Sequence, residues 1–218
     1  MGKHNFVYLL AGLLVFFLTG PVINQFRFAP AMIEVRFAAT MILSLWSFAA
    51  DRRWLLLSLA FAVAAIIAAV AGIFLEVVHL DVISAGALLV FFLFSTVIVT
   101  RQVLFRGAID ANKIIGAICI YLLLRFVWAL AYTLLDTLSS SAFSGVTGGS
   151  ISTRWDDLFY YSFITLTTVV YGDITPVTYM ASALATLEAV FGQFYIAILV
   201  ASLVAIYISG RSERRDDR

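Results

Sequence analysis

The chain has 218 residues, of which 63% are hydrophobic and 12% charged, and its formal net charge is +1. A soluble domain needs more polar surface than that, and a near-neutral chain offers nucleic acid no electrostatic footprint. The apolar residues come in long runs rather than on one helical face, which points to lipid as the solvent.

A helix needs about 20 apolar residues to cross a hydrocarbon core about 30 Å thick, at about 1.5 Å per residue. On that measure the sequence predicts six spans, at about 5–25, 31–50, 54–78, 82–100, 114–136 and 177–209. Lys3 precedes the first run, but "LTGPVINQF" behind it has no clear small-residue cleavage site, so the run reads as a retained span and not a signal peptide. Lipid supplies no hydrogen bonds, so each span is expected to be a helix. With the N-terminus inside, ten of the 14 Lys and Arg residues fall on the cytoplasmic side, two (Arg27 and Arg154) outside, and two (Arg36 and Arg125) within spans. This asymmetry predicts a multi-pass integral membrane protein with both termini cytoplasmic, and a bacterial-type plasma membrane is its expected location.

Spans one to four make up an expected membrane domain over residues 1–112. Glu34 and Arg36 are two apart on span two and point to different sides of it. The fourth span, "VISAGALLVFFLFSTVIVT", contains no arginine, so the region lacks the charge that a voltage sensor must move through the field. "RQVLFRGAIDANK" then reads as an interfacial linker helix. Cys119, the single cysteine, lies inside an apolar run and reads as a small core residue.

The connection between spans five and six differs from the others. Ser139 to Ser150 is rich in serine and glycine and reads as flexible. "RWDDLFYYSFITLTT" follows as a short helix, with Asp156 and Asp157 placed in its first turn to suit the positive end of the dipole. Too short to cross, it is expected to enter the membrane and turn back, with "TVVYGDITP" returning as non-helical chain. Such backbone persists at membrane depth only if protein buries it or it lines a watery cavity.

"TLTTVVYGDITPVT" resembles the pore loop of the tetrameric potassium-channel superfamily, whose filter reads T-V-G-Y-G-D. Thr168, Val169, Tyr171, Gly172 and Asp173 match, and Val170 stands where the family has glycine. The resemblance covers about residues 128–209. It implies an all-α membrane protein of six transmembrane helices plus a re-entrant pore helix and filter loop, assembled as a fourfold-symmetric homotetramer. The pore domain would span residues 113–210, followed by a short cytoplasmic tail at 211–218. The family filter is formed here by Thr168, Val169, Val170, Tyr171 and Gly172. Potassium would be held by the Thr168 hydroxyl and by backbone carbonyls of Thr168, Val169 and Tyr171. Asp173 would anchor the outer filter; the family's pore-helix carboxyl is replaced by Ile164, leaving Tyr160 or Trp155 as its partner. No cofactor is implied, only potassium as the permeant ion, with sodium admitted if selectivity falls. The expected partners are three further copies of the chain and membrane lipid, with no nucleic acid and no cytoplasmic ligand domain.

Val170 is the departure with consequences. The family's first filter glycine takes a left-handed backbone, which glycine does freely. An L-residue there loses about 1–2 kcal/mol, so four copies around an axis lose about 4–8 kcal/mol. The cheaper course is to rotate the Val170 peptide away from the axis, giving a filter that is less selective or closed. On span six, Gly192 falls at the family's hinge glycine, where bending and close helix packing are both open readings, and Gln193 faces the cavity or a neighbouring helix. Arg125 and Glu188 each lie 11 positions below the outer ends of their spans, Asp136 and Val177. Equal depth predicts a buried ion pair between them, within or between subunits. The competing readings are a pore-dead member of the same fold with a structural or regulatory role, and a secondary transporter, which would need internal repeats. No residue set suits an enzyme.

Overall fold

A computed structural model describes residues 5–23, 60, 63, 78–105, 111–139, 141–147 and 151–216. Its elements are α1 (Asn5–Ile23), α2 (Val78–Phe105), α3 (Ala111–Ser139), β1 (Phe143–Ser144), α4 (Ile151–Leu166), β2 (Thr175–Pro176) and α5 (Tyr179–Asp216). The expected spans at 31–50 and 54–78, with the Glu34 and Arg36 positions, lie outside the described residues, except for Ala60 and Val63, both helical. Among the described residues, three helices are long and apolar enough to cross a membrane: Val82–Val103, Asn112–Ser139 and Tyr179–Ser202. Phe6–Thr19 is a shorter apolar helix.

The apolar runs become helices because no other conformation satisfies the backbone in lipid. Within α1, Phe6, Leu9, Leu13 and Phe16 are buried and recur at helical spacing, while Tyr8, Val15 and Leu18 are exposed on the other side. The hydroxyls of Thr96 and Thr100 bond back to the carbonyls of Phe92 (2.8 Å) and Thr96 (2.7 Å), so these two need no partner outside α2.

The central element is α3. Helices α1, α2, α4 and α5 all pack against it. Phe126 stacks on Phe92 of α2 (4.6 Å between centroids) and meets Phe16 of α1 (4.8 Å) and Phe159 of α4 (5.0 Å). Cys119 is buried, its thiol directed at the Phe6 carbonyl (3.5 Å), in keeping with a core role.

Some boundaries differ from expectation. Residues 101–105 complete α2 instead of starting a separate linker helix, and residues 111–113 open α3. α5 stays helical through Asp216, carrying the chain past the apolar span into the expected tail. The segment 141–147 is ordered into β1, which pairs antiparallel with β2 (Phe143↔Pro176, Ser144↔Thr175). The Val177 amide extends this ladder to the Ala142 carbonyl (2.9 Å).

Candidate functional site

The 16 residues of α4 reach about 24 Å, short of a full crossing. The helix begins at Ile151, so Asp156 and Asp157 fall in its second turn, not its first. Asp157 instead receives the backbone amide (2.7 Å) and the hydroxyl of Thr147, tying the preceding loop to the helix. Asp136, at the outer end of α3, accepts the Ala142 amide (2.9 Å) and lies 3.7 Å from Arg154.

The C-terminal end of α4 determines how the 168–173 loop, the expected filter, begins. The Thr168 amide donates to the Thr165 carbonyl (3.0 Å) and the Val169 amide to the Ile164 carbonyl (2.9 Å). These two bonds form a Schellman cap, which requires a left-handed residue at Thr168. Thr168 has φ 59°. The left-handed value recurs at every second residue, at Val170 (φ 45°) and Gly172 (φ 80°), whereas Val169 and Tyr171 do not share it. Val170 therefore takes the left-handed φ expected of glycine rather than leaving that region. Val169, Val170 and Tyr171 are all more than half exposed on the single chain.

The far end of this loop is framed by the short ladder and by Asp173. The Asp173 carboxylate accepts a hydrogen bond from the Tyr160 hydroxyl and sits 3.1 Å from the Ile174 amide. Of the two expected partners, Tyr160 makes this contact, while Trp155 is buried and stacks on Phe159 (5.0 Å). Gly145 was not singled out from sequence. It has φ 85°, and a Cβ there would meet the Asp173 carbonyl oxygen at 2.0 Å. Only glycine lets the outer loop lie this close against the end of the filter.

Beneath the filter, Gly192 sits in uninterrupted helix. A Cβ at Gly192 would meet the Leu166 carbonyl oxygen at 2.1 Å, so close packing of α5 against the end of α4 accounts for this glycine. Gln193 donates from Nε2 to Thr168 Oγ1 at 2.9 Å.

Arg125 and Glu188, expected as a buried ion pair, are both buried, and within the chain each is held by further groups. Glu188 receives the Tyr132 hydroxyl on one oxygen and the Ser162 hydroxyl on the other, both at 2.5 Å. Ser162 Oγ also lies 3.3 Å from the Arg125 carbonyl oxygen. The Arg125 guanidinium donates from Nε to the Phe159 carbonyl (3.0 Å) and lies over the rings of Phe159, Phe163 and Phe17 at 3.8, 4.3 and 4.4 Å. A desolvated guanidinium gains from three π-faces what a carboxylate would otherwise supply. Tyr132 and Ser162, both fully buried, are site residues that sequence depth alone did not reveal.

Residues 115–209 match the model of a protein family described as Ion channel. That stretch takes in most of α3, all of α4, the loop after it and most of α5. No curated protein and no solved structure matches the chain. The family match, with three membrane-length helices, supports an ion channel in a mostly helical membrane protein.

Proposed function

We propose that the chain is a potassium-channel-type subunit that conducts monovalent cations passively as a homotetramer, with Thr168, Val169, Val170, Tyr171 and Gly172 as the filter. The observation that carries this reading is the alternation of left-handed φ at 168, 170 and 172, in a loop between a short re-entrant helix and a long one. Alternating backbone turns successive carbonyls of an extended segment toward one side, where they can replace water around an ion. The same loop argues for assembly. Residues 169–171 are exposed non-helical backbone on a single chain, and lipid does not tolerate that. Convergence of four copies on an axis removes the conflict. The apolar face of α5 at Phe191, Phe194 and Ile198, exposed on the protomer, would meet neighbouring subunits and the inner pore.

Val170 weakens selectivity in this reading. Thr168 and Val170 are β-branched residues at positive φ, each costing about 1–2 kcal/mol. A filter under that strain deforms more easily and discriminates less between potassium and sodium. The termini would be cytoplasmic in a bacterial-type plasma membrane. Potassium efflux from liposomes containing the purified full chain tests the reading. Efflux should exceed that of empty liposomes and persist with sodium as the counter-gradient. A tetrameric particle with no flux of any monovalent cation would favour the pore-dead alternative. A monomeric particle would remove the filter reading altogether.

A further inference from the structure

Three contacts meet where α5 passes under the filter. The closest places Gly192 against the Leu166 carbonyl. That carbonyl accepts the Tyr121 hydroxyl at 3.2 Å, which fixes α3, α4 and α5 to one another at this level. One residue further along α5, Gln193 Nε2 reaches Thr168 Oγ1 at 2.9 Å. The neighbouring threonine behaves differently: the Thr167 hydroxyl turns back onto the Phe163 carbonyl at 2.7 Å and belongs to α4. Of two adjacent hydroxyls, one is committed to the short helix and the other is held from the long one.

That hold has chemical consequences. A threonine side chain has three staggered χ1 wells, and the hydroxyl points at a given ion from only one of them. An N–H bond to Oγ1 selects one orientation and still leaves the oxygen a lone pair. Thr168 is also a β-branched residue at φ 59°, so its backbone gives it no resting place of its own. We infer that Gln193 is a positioning residue for the innermost cation-binding ring: its carboxamide fixes the Thr168 hydroxyl as an ion ligand and ties that ring to α5. The inference rests on the reading of residues 168–172 as a cation filter.

Barium tests it, because its radius is close to that of potassium and its doubled charge strengthens binding to rings of oxygen. Barium is titrated calorimetrically into the full chain in detergent, in potassium-free buffer. Gln193→Met keeps the length of the side chain and removes the N–H donor; Gln193→Asn keeps the amide but shortens its reach. Both should bind barium about 3–10-fold more weakly than the wild type, the range expected for loss of one neutral hydrogen bond. Thr168→Ser should retain affinity. Thr168→Val should lose it, and adding Gln193→Met to Thr168→Val should cause no further loss, since the donor then has no hydroxyl to hold. A merely structural brace would lower thermal stability without moving barium affinity. If the wild type binds barium and the Gln193 variants bind it equally well, or the two losses add in the double variant, the inference is overturned while the filter reading stands. A wild-type chain that binds no barium overturns both.

Discussion

The amide of Val169 donates to the carbonyl of Ile164 at 2.9 Å, and with this bond α4 ends and the proposed filter begins. The cap places Thr168 in the left-handed region, and the alternation it starts reaches Val170 two residues later. The positive φ at Val170 thus continues a pattern set by α4. What glycine would adopt freely, valine adopts under strain.

Val170→Gly should stabilise the assembly. Removing a β-branched residue from left-handed backbone recovers about 1–2 kcal/mol, and the added chain entropy of glycine takes back about 0.5–1 kcal/mol. A net gain of about 1 kcal/mol per subunit is expected, seen as a higher midpoint for thermal dissociation in detergent. Potassium over sodium selectivity should rise with it. Val170→Ala, still an L-residue, should recover less on both measures.

Gly192→Ala separates packing from bending by the sign of its effect. In a free helix the substitution gains about 1 kcal/mol of propensity. Here the new methyl group meets a backbone oxygen that α4 and Tyr121 hold in place, and overpacking of that kind costs about 1–3 kcal/mol. The thermal midpoint should fall. A rise would show that α5 can move off Leu166 without loss.

The buried carboxylate gives a third outcome. Tyr132→Phe and Ser162→Ala each remove one donor from the buried Glu188, and each should cost about 1–3 kcal/mol, as for a buried polar group left short of a partner. In double-mutant cycles, Glu188→Gln should couple more strongly to Tyr132→Phe than to Arg125→Met, because Arg125 is held by the Phe159 carbonyl and three rings. The reverse order would restore a direct Arg125–Glu188 pair. Unfolding in denaturant measures all of these.

At the outer mouth, Tyr160→Phe should make the open filter less stable by freeing Asp173, read as faster decay of current at constant voltage. Trp155→Phe keeps the stack on Phe159 and should leave that decay unchanged.

Much of this was legible in the sequence. Long apolar runs gave α1, α2, α3 and α5 to within a few residues at most of their ends, because lipid allows such runs one conformation. The short helix α4 was legible in the sequence, but its start was not. Asp156 and Asp157 resembled first-turn acids, whereas Asp157 serves Thr147 from the second turn. The β1–β2 ladder was invisible, since two-residue strands carry no periodicity. Counting residues from the membrane surface gave Arg125 and Glu188 the same depth, but depth says nothing about direction around a helix. Tyr132 and Ser162 were therefore missed. Gly192 left two readings open in sequence, and the distance to Leu166 favours packing.

The most direct measurement is the reversal potential of the wild-type chain in a planar bilayer, with mainly potassium and a little sodium on one side and the reverse mixture on the other. Current should flow and reverse between zero and the potassium equilibrium potential, with Val170→Gly shifting it toward the potassium limit. No cation current from well-formed wild-type tetramers, or a wild-type reversal already at the potassium limit, would contradict a conducting filter weakened by Val170.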